Sequence, residues 1–353
     1  MSVLFQPLAQ RALTLRNRLV VSPMCQYSAR DGVPGDWHLV HLGSRAVGGA
    51  AAVVAEATAV SPEGRISPDD TGLWNDAQAA AWAPVAAFVR AQGAVPAVQL
   101  AHAGRKASTH APWRGRGAVP PEAGGWTVVA PSALAFDATY PQPQALDEAG
   151  IAKVVDDFRQ AARRALAAGF EIAEVHAAHG YLLHQFLSPL ANRREDGYGG
   201  GFDGRARLLL EVVAAVREAW PDRLPLWVRL SATDWVDGGW DVGQSVELAR
   251  RLAPLGVDLV DVSSGGLDAG QRIEVGPGYQ VPFARRIRAE AGIATGAVGL
   301  IETAQQAEAV VAAGDADLVL AGRAFLRDPY FAAHAAQALG IEPPTPPQYL
   351  RGW

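Results

Sequence analysis

The chain holds a single cysteine, Cys25, so no intrachain disulfide can form and a reducing compartment is expected. An iron–sulfur cluster, which takes about four thiolates, is excluded by the same count. No five like charges stand in a row: 31 basic and 36 acidic residues are scattered to a formal net charge of −5. Binding to nucleic acid or to an anionic membrane is therefore not suggested. No stretch approaches the roughly 20 apolar residues needed to cross a bilayer. The opening MSVLFQPLAQRALTLRNR lacks the long apolar core of a signal peptide. These absences together predict a cytoplasmic protein.

What is present is a 353-residue chain, 49% hydrophobic, long enough for one large core. Eight short apolar runs recur along it: Leu19 to Val21, Ala51 to Ala55, Val95 to Leu100, Glu171 to Val175, Leu226 to Leu230, Leu259 to Val262, Ala294 to Val298 and Leu318 to Ala321. Between and after them lie segments with helical spacing, at Trp37 to Val47, Asp76 to Gln92, Asp147 to Ala168, Asp203 to Trp220, Val242 to Ala253, Val281 to Ala291, Thr303 to Ala313 and Asp328 to Leu339. Several start at Asp or Thr, as N-caps do, and several stop at glycine: Gly93, Gly169, Gly256, Gly292, Gly314 and Gly340. Strand and helix alternating eight times, with nearly continuous apolar strands, predicts an α/β protein, a single-domain (β/α)8 TIM barrel spanning residues 1–353. An open doubly wound sheet is the competing arrangement. Residues 101–146, rich in Pro, Gly and Trp, form too long a connection for a turn and read as a lid or small subdomain after strand three.

In such a barrel the chemistry gathers at the carboxyl ends of the strands. There stand Ser22-Pro23-Met24-Cys25, Glu56-Ala57, Gln99 with His102, His176 with His179, Arg229, Ser263-Ser264, Gly296 with Gly299, and Gly322-Arg323. Glycines after the last two strands let backbone N–H groups approach a phosphate, and Arg323 beside them supplies a clamp. The plainer alternative is two tight turns and a surface ion pair. Gln99 and Arg229 could bond the edge of a heterocycle and stabilise an anion formed on it, or could form a structural pair. His176 and His179 lie three residues apart, with Tyr181 two further on. Zinc would need another ligand, which one cysteine does little to provide, so no metal is expected. Two imidazoles can instead donate to one substrate oxygen while Tyr181 supplies a proton; the alternative is core packing. His184 belongs with the helix that follows. No GxGxxG follows a strand, so a nicotinamide donor would have to enter the substrate's own pocket.

The assembled residues resemble one family from end to end, the Old Yellow Enzyme flavoproteins, and within it the thermophilic-like ene-reductases. The resemblance is carried by TLRNRLVVSPMCQYS, EATAVSPEGRI, QLAHAGRKAS, EVHAAHGYLLHQFLSPLANRREDGYGG, VRLSATDW, ATGAVGLI, LAGRAFLRDPYF and QYLRGW. It implies an FMN-dependent NADPH dehydrogenase, with NADH as the other possible donor. Ser22, Pro23, Met24, Cys25, Ala57, Gln99, Arg229, Gly322 and Arg323 would bind FMN, Gly299 joining them at the phosphate. His176 and His179 would hold the oxygen of an unsaturated small-molecule substrate, Tyr181 would donate the proton and Tyr27 would touch the ligand. Cys25 would tune the flavin, and Cys25 with His179 marks the subgroup. Arg351, in the tail 340–353, would reach a neighbouring subunit's pocket in a homodimer or homotetramer. The stretch Trp113 to Trp126 departs from shorter members. A barrel that binds flavin without turnover is the rival from another functional class.

Overall fold

Closure of the sheet decides between the two arrangements. A computed structural model describes residues 2–353. Its barrel strands are β1 (Leu19–Val21), β2 (Ala52–Ala59), β3 (Val95–Ala101), β4 (Ile172–Ala177), β5 (Leu226–Ser231), β6 (Leu259–Ser263), β7 (Ala294–Ala297) and β8 (Leu318–Ala321). Each pairs in parallel with the next, and β8 returns to β1 through Val319–Leu19, Leu320–Val20 and Ala321–Val21. The ring has no edge strand, so the open sheet is ruled out.

The eight expected helices surround it: α1 (Asp36–Val47), α2 (Asp76–Ala91), α3 (Glu148–Ala167), α4 (Phe202–Ala219), α5 (Val242–Leu252), α6 (Val281–Ala291), α7 (Ala304–Ala312) and α8 (Phe331–Ala338). Asn75, Asp147, Asp241 and Thr303 cap their helices by accepting from the backbone N–H three residues on. The six glycines expected at helix ends all have positive φ. None of the described helices is long and apolar enough to cross a membrane.

Strand alternation separates two apolar layers. Val53, Val98, Val175, Val228, Val260 and Val319 face outward against the helices. Val20, Val54, Ala97, Ile172, Trp227, Leu259 and Leu320 face inward and fill the floor of the barrel. An antiparallel hairpin (Leu8–Gln10 with Leu13–Leu15), absent from the sequence reading, plugs that floor. The Trp227 indole N–H donates to Gln10 Oε1 at 2.9 Å.

The 101–146 connection carries little regular structure of its own. It carries turns of 3-10 helix at Gly104–Lys106 and Pro121–Ala123 and a two-residue pairing of Val129–Ala130 with Gln144–Ala145. The Arg65 guanidinium sits 4.6 Å from the ring of Trp126 and 5.4 Å from that of Trp74, pinning the excursion to the loop after β2. Trp113 stays exposed and stands edge-on to Tyr27, with centroids 5.5 Å apart.

Candidate active site at the barrel mouth

Above the apolar floor, the inward positions turn polar while remaining buried. Gln99 on β3, Glu174 and His176 on β4, Arg229 on β5 and Asp261 on β6 form a continuous belt. Gln99 Nε2 donates to Glu174 Oε1 at 2.8 Å, which leaves the amide oxygen free to accept. Arg229 Nε lies 2.8 Å from Asp261 Oδ2 in an ion pair poorly aligned for a hydrogen bond, and Nη2 reaches Ser22 Oγ at 3.2 Å. Burial, and then the charge of Asp261, push the Glu174 carboxyl up to about 8, so at neutral pH it is mostly uncharged. Burial likewise raises Asp261, against the pull of Arg229.

Over this belt opens a cavity of about 440 Å³. Ser22, Met24, His179, Arg229, Gly299, Gly322 and Arg323 all line it. Such a volume suits a small-molecule cofactor. Backbone forms part of the wall where Gly299 and Gly322 carry no side chain. A Cβ on Gly299, whose φ is 126°, would stand 2.9 Å from Gln280 Nε2, and one on Gly322 would stand 3.4 Å from Met24 Sδ. The late-strand glycines are thus part of one cavity wall and not isolated turns. A flat heterocycle against Arg229 with a phosphate at Gly299, Gly322 and Arg323 fits the residues present.

An aromatic wall adjoins the cavity at His179. His176 and His179 pack edge-on with centroids 5.2 Å apart, and His176 meets Tyr181 edge-on at 5.0 Å. His176 Nδ1 is buried without a partner among the described residues, a group that a ligand oxygen would satisfy. His179, in left-handed backbone conformation with φ 58°, donates its backbone N–H to Ser231 Oγ (2.9 Å) and holds Nε2 2.7 Å from Ser263 Oγ. Burial, followed by the charge of Arg229, drives both imidazoles well below their usual range, so they are neutral. Burial raises the Tyr181 phenol well above its usual range, which keeps its proton in place.

Further residues hold this wall from behind. His184 lies in a short helix, Leu182–Leu187, as expected of it. Its Nδ1 accepts from the Gly180 N–H at 2.9 Å, and its Nε2 donates to Asp234 Oδ1 at 2.8 Å. A bulge between Ala55 and Ala57 re-aims the end of β2 and places Ala57 beside the β1 loop. Glu56 Oε2 there accepts from the Gln26 N–H at 2.8 Å, fixing the loop that carries Cys25 and Tyr27. Burial raises the acidic groups of both Cys25 and Tyr27.

Of the expected site residues, Ser22, Met24, His179, Arg229, Gly299, Gly322 and Arg323 share the cavity. Gln99 and His176 stand in the belt beneath it, while Pro23, Cys25, Ala57, Tyr27 and Tyr181 occupy adjoining strand ends and loops. Arg351 is exposed in the tail, outside the residues lining the cavity. Sequence reasoning missed Glu174, Asp261, Ser231, Gln280 and Lys106. Glu174 and Asp261 had a signal, being carboxylates set within apolar runs. Lys106 had none.

The model of the NADH:flavin oxidoreductase / NADH oxidase family matches residues 3–342. The NADPH dehydrogenases of Geobacillus thermodenitrificans and Bacillus subtilis are 48% and 44% identical to the chain, covering 100% and 99% of it and 99% of each relative. Among solved structures, morphinone reductase superposes with a TM-score of 0.80 at 32% identity, over 97% of this chain and 91% of that one. An old yellow enzyme homologue from Zymomonas mobilis gives 0.77 at 30% identity, over 92% and 90%. A 2-naphthoyl-CoA reductase gives 0.86 at 25% identity, but the match spans 96% of this chain and only 52% of the other. A full-length match and a closed barrel with a cavity at its mouth agree: the chain is an oxidoreductase of the NADH:flavin oxidoreductase / NADH oxidase family, the Old Yellow Enzyme family, and its cofactor is FMN.

Proposed function

We propose that the chain is an ene-reductase, taking hydride from NADPH or NADH and delivering it to the β-carbon of an α,β-unsaturated ketone, aldehyde, imide or nitroalkene. The observation that carries this reading is the edge-on array of His176, His179 and Tyr181 beside the cavity. FMN supplies the hydride when bound. Ser22 to Cys25, Ala57, Gln99 and Arg229 hold its ring, and Gly299, Gly322 and Arg323 its phosphate. The Arg229 cation favours negative charge on a ring laid against it. His176 and His179, kept neutral, donate to the substrate oxygen and stabilise the charge that develops there, while Tyr27 contacts the substrate. Tyr181 protonates the α-carbon.

Donor and acceptor share one opening, so they bind in turn and the kinetics are ping-pong. The test is anaerobic addition of NADPH, and separately NADH, to the purified protein. Its yellow absorbance bleaches, and 2-cyclohexenone restores it with release of cyclohexanone. A protein that bleaches but is reoxidised by none of a panel of activated alkenes is not an ene-reductase.

The active form we propose is a homodimer or homotetramer in which Arg351 enters a neighbouring pocket. Exposed Trp37, Val40 and Phe88 on α1 and α2, with Tyr349, Leu350 and Trp353 in the tail, supply apolar surface for such contact. Sedimentation gives the assembly state, and Arg351→Ala raises KM for the acceptor. A monomer at full activity would refute this arrangement.

A further inference from the structure

Lys106 closes the turn that follows β3, and its ammonium ties together loops from three strands. Nζ donates to the carbonyl oxygen of His179 at 2.9 Å and to that of Gly266 at 2.8 Å. It also lies 5.4 Å from the ring centroid of Tyr181 and 4.6 Å from that of Phe136 in the excursion. Two glycines permit the approach. A Cβ on Gly180 would stand 2.1 Å from the Gly266 oxygen, and one on Gly266 would stand 2.7 Å from the His179 Cα.

A staple for two carbonyls needs N–H donors but no charge, and a desolvated cation is costly to keep. Burial, with the charge of Arg105, pulls the Lys106 ammonium down to about 8, against the attraction of exposed Asp137. No carboxylate forms an ion pair with it among the described residues. The cation therefore faces aromatic rings and carbonyl dipoles instead of a fixed anion. An anion does arise there if Tyr181 is the proton donor.

We propose that Lys106 is a positioning residue whose ammonium is the countercharge for the Tyr181 phenolate formed during turnover. The inference rests on the ene-reduction reading above. Hydride adds to the β-carbon, and the π electrons of the alkene pass to the oxygen held by His176 and His179. The Tyr181 O–H bond then breaks, its proton forms the new bond at the α-carbon, and its electron pair remains on the phenolate oxygen. Solvent water returns the proton afterwards. The neutral imidazoles carry no charge to balance that phenolate. Lys106 attracts the neutral ring weakly and the phenolate strongly, so its interaction grows along the reaction, as catalysis requires.

The test is single-turnover reoxidation of the NADPH-reduced holoenzyme by 2-cyclohexenone. Lys106→Met slows this step by about tenfold or more, Lys106→Arg recovers most of the loss, and bleaching by NADPH keeps its parental rate. Tyr181→Phe is slow as well, and adding Lys106→Met to it costs nothing further. Equal losses in both backgrounds would make Lys106 a loop staple only and overturn the proposal. So would a parental rate for Lys106→Met beside a slow Tyr181→Phe. A parental rate for Tyr181→Phe fails differently, removing the donor assignment on which the proposal rests. Should Lys106→Met not retain FMN, Lys106→Gln keeps N–H donors without charge and is held to the same outcomes.

Discussion

On β4, β5 and β6 the inward positions run Ile172, Glu174, His176; Trp227, Arg229, Ser231; and Leu259, Asp261, Ser263. Each strand starts apolar at the floor and ends polar at the mouth, with every one of these side chains buried. The floor gains by removing apolar surface from water, at roughly 25 cal/mol per Å². The mouth gains nothing comparable, since dehydrated charges are costly even when paired. Its cost is contained by matching: Arg229 faces Asp261, and Glu174 stays mostly uncharged beside Gln99. One end of the barrel is thus organised for stability and the other for chemistry.

Trp227→Ala makes the sharpest cut at the floor. The cavity it leaves lowers the unfolding free energy by about 3–5 kcal/mol, read by denaturant titration, while the folded variant keeps the parental flavin spectrum. Loss of flavin without loss of stability would reverse the assignment of the two ends. Arg229→Ala attacks the mouth: FMN affinity falls by about tenfold or more, or the potential of retained FMN drops, as flavin titration and redox titration would show. A variant that binds and titrates like the parent would place Arg229 in the structural class.

A smaller effect sharpens the comparison through pH. Glu174 binds its proton more tightly when folded, about 8 against an ordinary 4.5, so its stabilisation is complete below 4.5 and is lost as pH rises through about 8. Glu174→Gln flattens that decline, leaving the variant less sensitive than the parent in melting curves from pH 5 to 9. Asp261, raised in the same direction, leaves some slope. Parallel curves would mean that Glu174 is ionised throughout. The smallest change belongs to Cys25→Ala, which moves the flavin midpoint potential and leaves the melting temperature nearly unaltered. An unmoved potential would end the tuning role.

Much of the barrel was legible because its elements announce themselves locally. Asp147 and Thr303 cap helices by bonds to residues three positions on, and Gly93 or Gly292 stops them by adopting positive φ, all within one turn of chain. The bounds of the short helices Leu182–Leu187 and Arg323–Arg327 were not legible, because each is too short to show a helical period. Nor was the floor hairpin, whose three-residue strands hold only through packing under Trp227. In the site, Gly299, Gly322 and Arg323 were readable from their place after the last strands. The bulge at Ala55/Ala57 and the reach of Lys106 to Gly266 were not, because both depend on segments far apart in sequence.

By itself the sequence determined eight strand and helix units, where most of them begin and end, and which strand ends carry imidazole, guanidinium, phenol and glycine, because these follow from local periodicity and residue chemistry. Only the tertiary structure decided that β8 closes on β1, which side chains of each strand turn inward, and which charges meet there. Those outcomes depend on ring closure and strand register, and no short window of residues contains them.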